Sequence, residues 1–334
     1  MPYNSYISRT DATALIPEDA SREILKSVAA SNPLLQLARR LPDLPRKTRR
    51  LPVMSSLATA YFVDGDTGLK QSTDVTWDNK YIDAEEVAAI IPIPEAVLDD
   101  SDFDIWSEVR PELVQALNAA INAAILFGTN IPSTWTTNLG AAGLLAKIVA
   151  ASHTVDQSTQ VTAGEDVYDT LLGSAGVISL IEADGFMATG HLGALSMRGL
   201  LRGVRSKELS GGTVAYNIGM PIFTRSMQDA NQYDLDGSPI FFPTDGVITG
   251  GAGNALLFSG QWDQLVWAMR QDVTYKVLTE AVIQDAGGAI LYNLAQQDMV
   301  ALRVVMRLGV ALPNPINRVN SSSTTRLAFA ALVP

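Results

Sequence analysis

The chain contains two histidines, His153 and His191, and no cysteine. A Ser, Thr or Cys nucleophile needs a base within reach. Neither histidine stands in a run that places a serine or an acid at motif spacing. Both read as isolated polar loop residues. The sequence holds no G-x-S-x-G elbow and no G-x-x-x-x-G-K-[ST] phosphate loop. Gly250-Gly251-Ala252-Gly253 has the composition of a phosphate cradle. It precedes a strand pattern, however, so no helix N-terminus follows to aim its amides, and a flexible loop is expected. Asp100, Asp102 and Asp104 repeat at two-residue steps like the start of a calcium loop. That loop requires Gly at its sixth position and Glu at its twelfth, where Ile105 and Pro111 stand. With Asp99 these acids suit a helix start, where carboxylates meet the positive end of the dipole. No catalytic, cofactor or metal site is expected, and the chain reads as a non-enzyme.

The other chemical cluster is basic: Arg39, Arg40, Arg46, Lys47, Arg49 and Arg50. It lacks the interleaved aromatics of a nucleic-acid surface, and the formal net charge of −11 opposes broad binding to phosphate backbones or anionic membranes. Pairing with the acids of residues 64–108 on a neighbouring copy is the better expectation.

The elements around these residues have unequal claims to a core. Residues 1–50 read as an extended arm with short helical pieces, the first starting at Pro17-Glu18-Asp19 and stopping at Asn32-Pro33. Strand-forming residues run from Leu51 to Asp64, Asp64-Gly65-Asp66-Thr67-Gly68 is a turn, and Val75-Thr76-Trp77 opens a return leg to Ile93. At ~15 residues a leg and ~3.3 Å per residue the hairpin reaches ~50 Å. A hairpin of that length is marginal alone and needs something to lie against, and another copy of the chain is the natural candidate.

Ile105, Val109, Leu113, Leu117, Ile121 and Ala124 then recur at helical steps from Asp102 to Phe127, with Pro111 as a start or kink and Gly128 as the stop. A helix is expected from Gly164-Glu165-Asp166 through Leu180, and a shorter one from Leu192 to Leu201. Strands are expected at 222–225, 240–242, 255–258, 265–269, 273–279 and 299–310. The class is α+β with β-rich ends. At 334 residues there is ample material for a core of one or two domains. No secretory leader and no run of ~20 apolar residues is visible, so neither export by a leader nor a membrane span is expected.

The order of these parts resembles the major capsid proteins of tailed phages, the Hong Kong ninety-seven fold. Leu15-Ile16-Pro17 with Ile24 and Leu34 to Ala38 resembles the family's N-terminal arm. Val75-Thr76-Trp77 through Ile93-Pro94-Glu95-Ala96-Val97-Leu98-Asp99-Asp100-Ser101 resembles the return leg of its extended loop, or E-loop, leading into the spine helix Leu113 to Gly128. Gly219-Met220-Pro221-Ile222, Leu257 to Trp262 and on to Glu280, and Asp298 to Gly309 resemble its later strands. The resemblance covers nearly the whole chain and rests on order and spacing, since no single motif is diagnostic.

It implies an N-terminal arm (1–47), an E-loop hairpin (48–92), a peripheral domain with the spine helix (93–160), an axial domain (161–260) and closing strands with a C-terminal return (261–334). It implies a subunit that assembles into hexamers and pentamers of an icosahedral shell around double-stranded DNA contacted weakly and non-specifically. The place is then the virion capsid, assembled in the host cytoplasm. Implied partners are further copies of itself, a portal, a decoration protein in some systems, and a separate scaffolding protein, because the arm begins close to Met1.

Intersubunit contacts are expected from Arg46, Lys47, Arg49, Arg50, Tyr61, Phe62, Asp64, Asp66, Lys70 and Trp77. A hinge at the spine-helix start is expected from Asp99, Asp100, Asp102, Asp104 and Pro111. Some relatives crosslink an E-loop lysine to a neighbour's asparagine. The positions nominated here are Lys70 with Asn314, Asn317 or Asn320, against the plain alternative of a solvated lysine. Two other readings stay open: a nanocompartment shell enclosing an enzyme cargo, and a soluble hydrolase with its own closed core.

Overall fold

The computed structural model describes residues 32–63, 68–99, 105–162, 166–204, 208–210, 213–215, 233–285 and 287–334. The expected helix from Pro17, the tip acids Asp64 and Asp66, the hinge acids Asp100, Asp102 and Asp104, and the strand at 222–225 lie outside them. In chain order the strands are β1 (Arg39–Arg40), β2 (Thr48–Met54), β3 (Trp77–Pro94), β4 (Thr154–Asp156), β5 (Gly190–Gly193), β6 (Glu208–Ser210), β7 (Thr213–Ala215), β8 (Tyr233–Leu235), β9 (Ser238–Phe241), β10 (Leu257–Gly260), β11 (Val266–Leu278), β12 (Val282–Gln284), β13 (Ile290–Asn293), β14 (Met299–Ala311) and β15 (Phe329–Val333).

Two sheets organise the molecule. The first has the order β1-β11-β14-β3-β2. Its inner strand β14 pairs antiparallel with β11 on one side and with β3 on the other. Buried between two strands and two layers, β14 reads as a nearly continuous apolar run, with Val304, Val305, Met306, Leu308 and Val310 all in the core. The second sheet has the order β4-β15-β10-β5-β9-β8. It takes residues 154–156 and 329–333, which the expected division assigned to other parts, and places 329–333 beside β10 with 154–156 on its far side. The C-terminal strand is therefore central to this sheet. Its residues Phe329 to Leu332 are fully buried.

The long helix Ile105–Phe127 runs unbroken through Pro111. Leu113, Leu117, Ile121, Ala124 and Ile125 form its buried stripe and join the main core, which also receives Leu144 and Ile148 from the helix Gly143–Ala150. Where the long helix ends, two backbones almost touch. Gly128 has φ +68°, and a Cβ there would lie 2.5 Å from the Ala142 carbonyl carbon. Gly143, at φ +73°, meets the Gly128 nitrogen in return. Only glycine meets both demands.

Several expected elements shift. The helix anticipated from residue 164 is two, Val167–Leu172 and Val177–Ala183. The first opens on a capping box made by Asp166 and Asp169, and the break falls at Gly173–Gly176, where a Cβ on Gly176 would meet the Leu171 oxygen at 2.8 Å. The helix anticipated over 192–201 is instead β5 followed by a helix at Met197–Gly203. The strands anticipated at 265–269 and 273–279 are one strand, β11, with register shifts between Met269 and Gln271 and between Gln271 and Thr274. The strand at 255–258 begins two residues later. The outgoing hairpin strand stops at Met54 rather than reaching Asp64.

Gly128→Ala places a left-handed Cβ in a backbone contact, and strain alone costs about 1–2 kcal/mol. Urea unfolding of the purified subunit is expected to show a lower midpoint, equivalent to at least that loss of unfolding free energy, and an unchanged midpoint contradicts the tight-crossing account.

Candidate assembly surface

Strand β3 spans 18 residues, ~55–60 Å at the usual rise. Residues Ala84–Pro94 pair with β14 in the body, and Trp77–Asp83 pair only with β2. One continuous strand thus passes from a core sheet into a projecting two-stranded hairpin. The sequence expectation placed 48–92 in the hairpin; the ladder moves residues 84–92 into the body.

The root of the hairpin is well seated. Ile82 and Ala84 are buried with Leu44, Val266, Ala268 and Ala311, flanked by Leu41 and Leu51. The Trp135 indole N–H donates to the Asp83 carbonyl at 2.8 Å, and the Asn138 amide donates to the Tyr81 carbonyl at 2.7 Å. At Gly309 a Cβ would lie 2.8 Å from that same Asp83 oxygen, so β14 can cross here only as glycine.

Beyond Trp77 the two legs leave regular pairing and are joined largely through short side chains. Ser55 N–H donates to the Thr76 carbonyl, Thr76 N–H donates to Ser56 Oγ, Thr59 N–H donates to Thr73 Oγ1, and the Tyr61 hydroxyl donates to the Gln71 carbonyl at 2.9 Å. The Ser/Thr-rich legs therefore hold each other without a core. Their apolar groups face outward: Phe62 is fully exposed, Leu69 is 88% exposed and Trp77 65% exposed, with Met54, Tyr61 and Tyr81 also exposed. Lys70 is exposed among them. Scattered single apolar residues on a surface mean little, but large ones gathered along one coreless projection mark an interaction surface.

The basic cluster divides. Lys47 lies 3.4 Å from Glu85, and the Arg49 guanidinium donates to the Pro42 carbonyl. These two are engaged within the chain, against the expectation that all four cations serve a neighbour. Proximity across the β2–β3 ladder explains it, since the acid reached by Lys47 sits on its own return strand. Arg46 and Arg50 remain exposed. Arg40 pairs with Asp43 and stacks over Trp267 at 5.3 Å. Asp99 closes the short helix Glu95–Asp99 and Pro111 lies within the long helix.

Both histidines are buried, which corrects their reading as isolated loop residues. His191 sits on β5 with Nε2 3.1 Å from the Leu235 carbonyl and Nδ1 2.8 Å from Ser259 Oγ. A carbonyl only accepts, so Nε2 carries the proton and Ser259 donates to Nδ1. Burial lowers the His191 pKa to about 4, keeping the ring neutral. The pair is sealed in the sheet, with His191 and Ser259 both fully buried, and serves packing rather than chemistry.

His153 reaches the Phe329 carbonyl through Nδ1 and Asp184 Oδ2 through Nε2 at 3.3 Å. Asp184 also accepts from the Leu327 N–H and the Asn320 amide, each at 2.6 Å. Arg326, buried, donates to the carbonyls of Asn320 and Asn314. Asn317 donates to the Asp184 carbonyl and Asn314 to that of Arg326. The three asparagines nominated as crosslink acceptors thus spend their amides within this network, Asn314 inside the loop 312–328 and Asn317 and Asn320 on Asp184. That loop reaches the hairpin as well: the Arg318 guanidinium donates to the Ala58 carbonyl at 2.9 Å. Sequence reasoning missed this buttress because its anchor, Asp184, lies 133 or more residues from its partners in the loop.

Among the described residues no group of His, Asp and Glu is arranged to hold a metal, and no helix is long and apolar enough to cross a membrane.

The fold therefore defines a subunit with a closed core and a coreless, apolar-edged projection. A family model, the phage capsid family, matches residues 12–317. Among solved structures the chain is similar to one from Microbacterium phage Oxtober96, with 27% identity over 96% of this chain and 94% of that one and a TM-score of 0.71. It is similar to one from Mycobacterium phage Adephagia, with 24% identity over 96% and 98% and a TM-score of 0.69. The capsid of the native GTA particle shares the fold at 17% identity over 98% and 93%, with a TM-score of 0.56. A search of curated proteins finds no match. The chain belongs to the phage capsid family, and it is a major capsid protein, a virion component that self-assembles into a shell.

Asp184→Ala leaves His153, Asn320 and the Leu327 N–H without their shared acceptor. Leaving a buried donor unsatisfied costs about 1–3 kcal/mol. A denaturation midpoint within experimental error of the parent would refute the buttress.

Proposed function

We propose that the projecting hairpin is the E-loop of this capsid subunit and that it lies along an adjacent copy, inside hexamers and pentamers of an icosahedral shell holding double-stranded DNA. The observation that carries this is the run of exposed Tyr61, Phe62, Leu69 and Trp77 on a hairpin with no core of its own. Burying them on a neighbour recovers ~25 cal/mol for each Å² removed from water. Each contact can be weak, since many act together around a closed shell.

The helix Ile105–Phe127 is then the spine helix, with Asp99, Asp100, Asp102, Asp104 and Pro111 as the hinge residues at its start. The sheet of β4, β15, β10, β5, β9 and β8 forms the axial part. The chain works as a structural protein rather than an enzyme, is assembled in the host cytoplasm with a scaffolding protein and a portal, and meets DNA weakly because its net charge is −11. Lys70 serves as a contact cation at the hairpin tip. Arg46 and Arg50 are the cations left facing outward and pair with a neighbour's acids, with Asp64 and Asp66 among the contact residues.

Deleting residues 60–75 removes the outer hairpin and none of the root. The expected product has a melting temperature close to the parent's and yields no closed shells by electron microscopy; normal shells refute the role. Reversing Arg46 and Arg50 to Glu leaves Lys47 and Arg49 in their internal contacts. Assembly is expected to fail most clearly at low salt, where the Debye length is ~30 Å at 0.01 M, and assembly equal to the parent under that condition contradicts intersubunit pairing.

A further inference from the structure

Where the hairpin leaves the body, a cleft of about 170 Å³ opens between three separate pieces of chain. That is far more than the ~10–15 Å³ that admits a single water. Lys80 enters it from the hairpin strand, Lys147 from the helix Gly143–Ala150 and Arg326 from the loop 312–328, with Asp78 as the one carboxylate lining it. Three cations against one acid is an unusual wall for a chain with 35 acids and 24 Lys and Arg.

The cations are not equally free. Arg326 is committed to the Asn314 and Asn320 carbonyls. Lys80 reaches Asp78 at 3.4 Å, an ion pair whose carboxylate is exposed. The Lys147 ammonium donates to the Asn138 backbone carbonyl, a neutral partner for a mostly buried charge. Burial first, and the Lys80 charge second, lower the Lys147 pKa. Two ammonium groups thus share a partly dry cleft, an arrangement that an incoming anion relieves.

We propose that this cleft receives an Asp or Glu side chain from a second copy of the chain, bridging Lys80 on the hairpin to Lys147 on the body. The bridge fixes the direction in which the hairpin leaves. The occupant follows from charge and position. A cationic recess complements the acid-rich surface of the chain's own copies, and it opens at the root of the element proposed to lie on a neighbour. The proposal rests on the shell-forming reading above and adds to it a receptor site at a stated place.

Shells assembled from the whole chain and treated with a water-soluble carbodiimide test it. The reagent takes up the water lost when a carboxylate and an amine in contact form an amide, and intermolecular amides appear as dimers on a denaturing gel. The expected dimers contain junction peptides joining Lys80 or Lys147 to an Asp or Glu. The double variant Lys80→Arg, Lys147→Arg keeps both charges without a condensable amine, so shells persist and the dimer falls about fivefold or more. The double variant Lys80→Gln, Lys147→Gln is expected to give shells that come apart at lower denaturant concentration than the parent.

Shells whose dimers join through other amines, or whose dimer yield is unchanged in the arginine variant, overturn the cleft. A parent chain that forms no shells by electron microscopy overturns the capsid reading itself. If the arginine variant does not assemble, the junction peptides of the parent shells decide.

Discussion

Strand β3 imposes the constraint on which the molecule depends. Its residues 84–94 are bonded to β14, and its residues 77–83 continue outward with β2 as their only partner. Because the strand is unbroken, the direction of the hairpin is set by the twist and register of the body sheet. Ile82 and Ala84 fasten that transition in a small apolar cluster, and fully burying one such side chain is worth about 1.5–3 kcal/mol. Gly309 lets β14 approach at the same level. The hairpin therefore projects as an extension of the core rather than as a tethered loop.

Contacts from outside the sheet reinforce this direction. Trp135 and Asn138 grip the backbone of β3 at Asp83 and Tyr81. The loop 312–328, itself pinned by the buried Asp184 network, reaches up to Ala58 through Arg318. Body and projection meet in polar hydrogen bonds over a dry root, which positions the outer legs without covering their apolar side chains. The same junction brings Lys80 and Lys147 into one cleft.

Much of the architecture is legible from local signals. The heptad-like spacing of Leu113, Leu117, Ile121 and Ala124 announces the long helix, and Gly128 its end. The β-branched run to Ile93 announces β3. The coreless hairpin and its exposed aromatics follow from composition alone. What stays hidden is long-range. Nothing near His191 shows that it lies against Ser259, 68 residues on, or that Leu235 fixes its tautomer. Glu85 is invisible as the partner of Lys47 until β2 and β3 are in register. Residues 329–333 read only as part of a C-terminal return, yet they form an inner strand of the second sheet, flanked by β4 and β10. Glycine breaks such as Gly173–Gly176 divide a helix pattern whose periodicity continues across them.

The central claim, that the outer hairpin is buried against another copy, is tested most directly by hydroxyl-radical footprinting of assembled shells and dissociated subunits. Tyr61, Phe62 and Trp77 serve as internal probes because all three are exposed in the single chain. The account predicts that their oxidation rates fall strongly on assembly, while that of Met187, exposed at a distance in sequence from the hairpin, serves as the reference. Equal oxidation of all three aromatics in shells and in free subunits would contradict it.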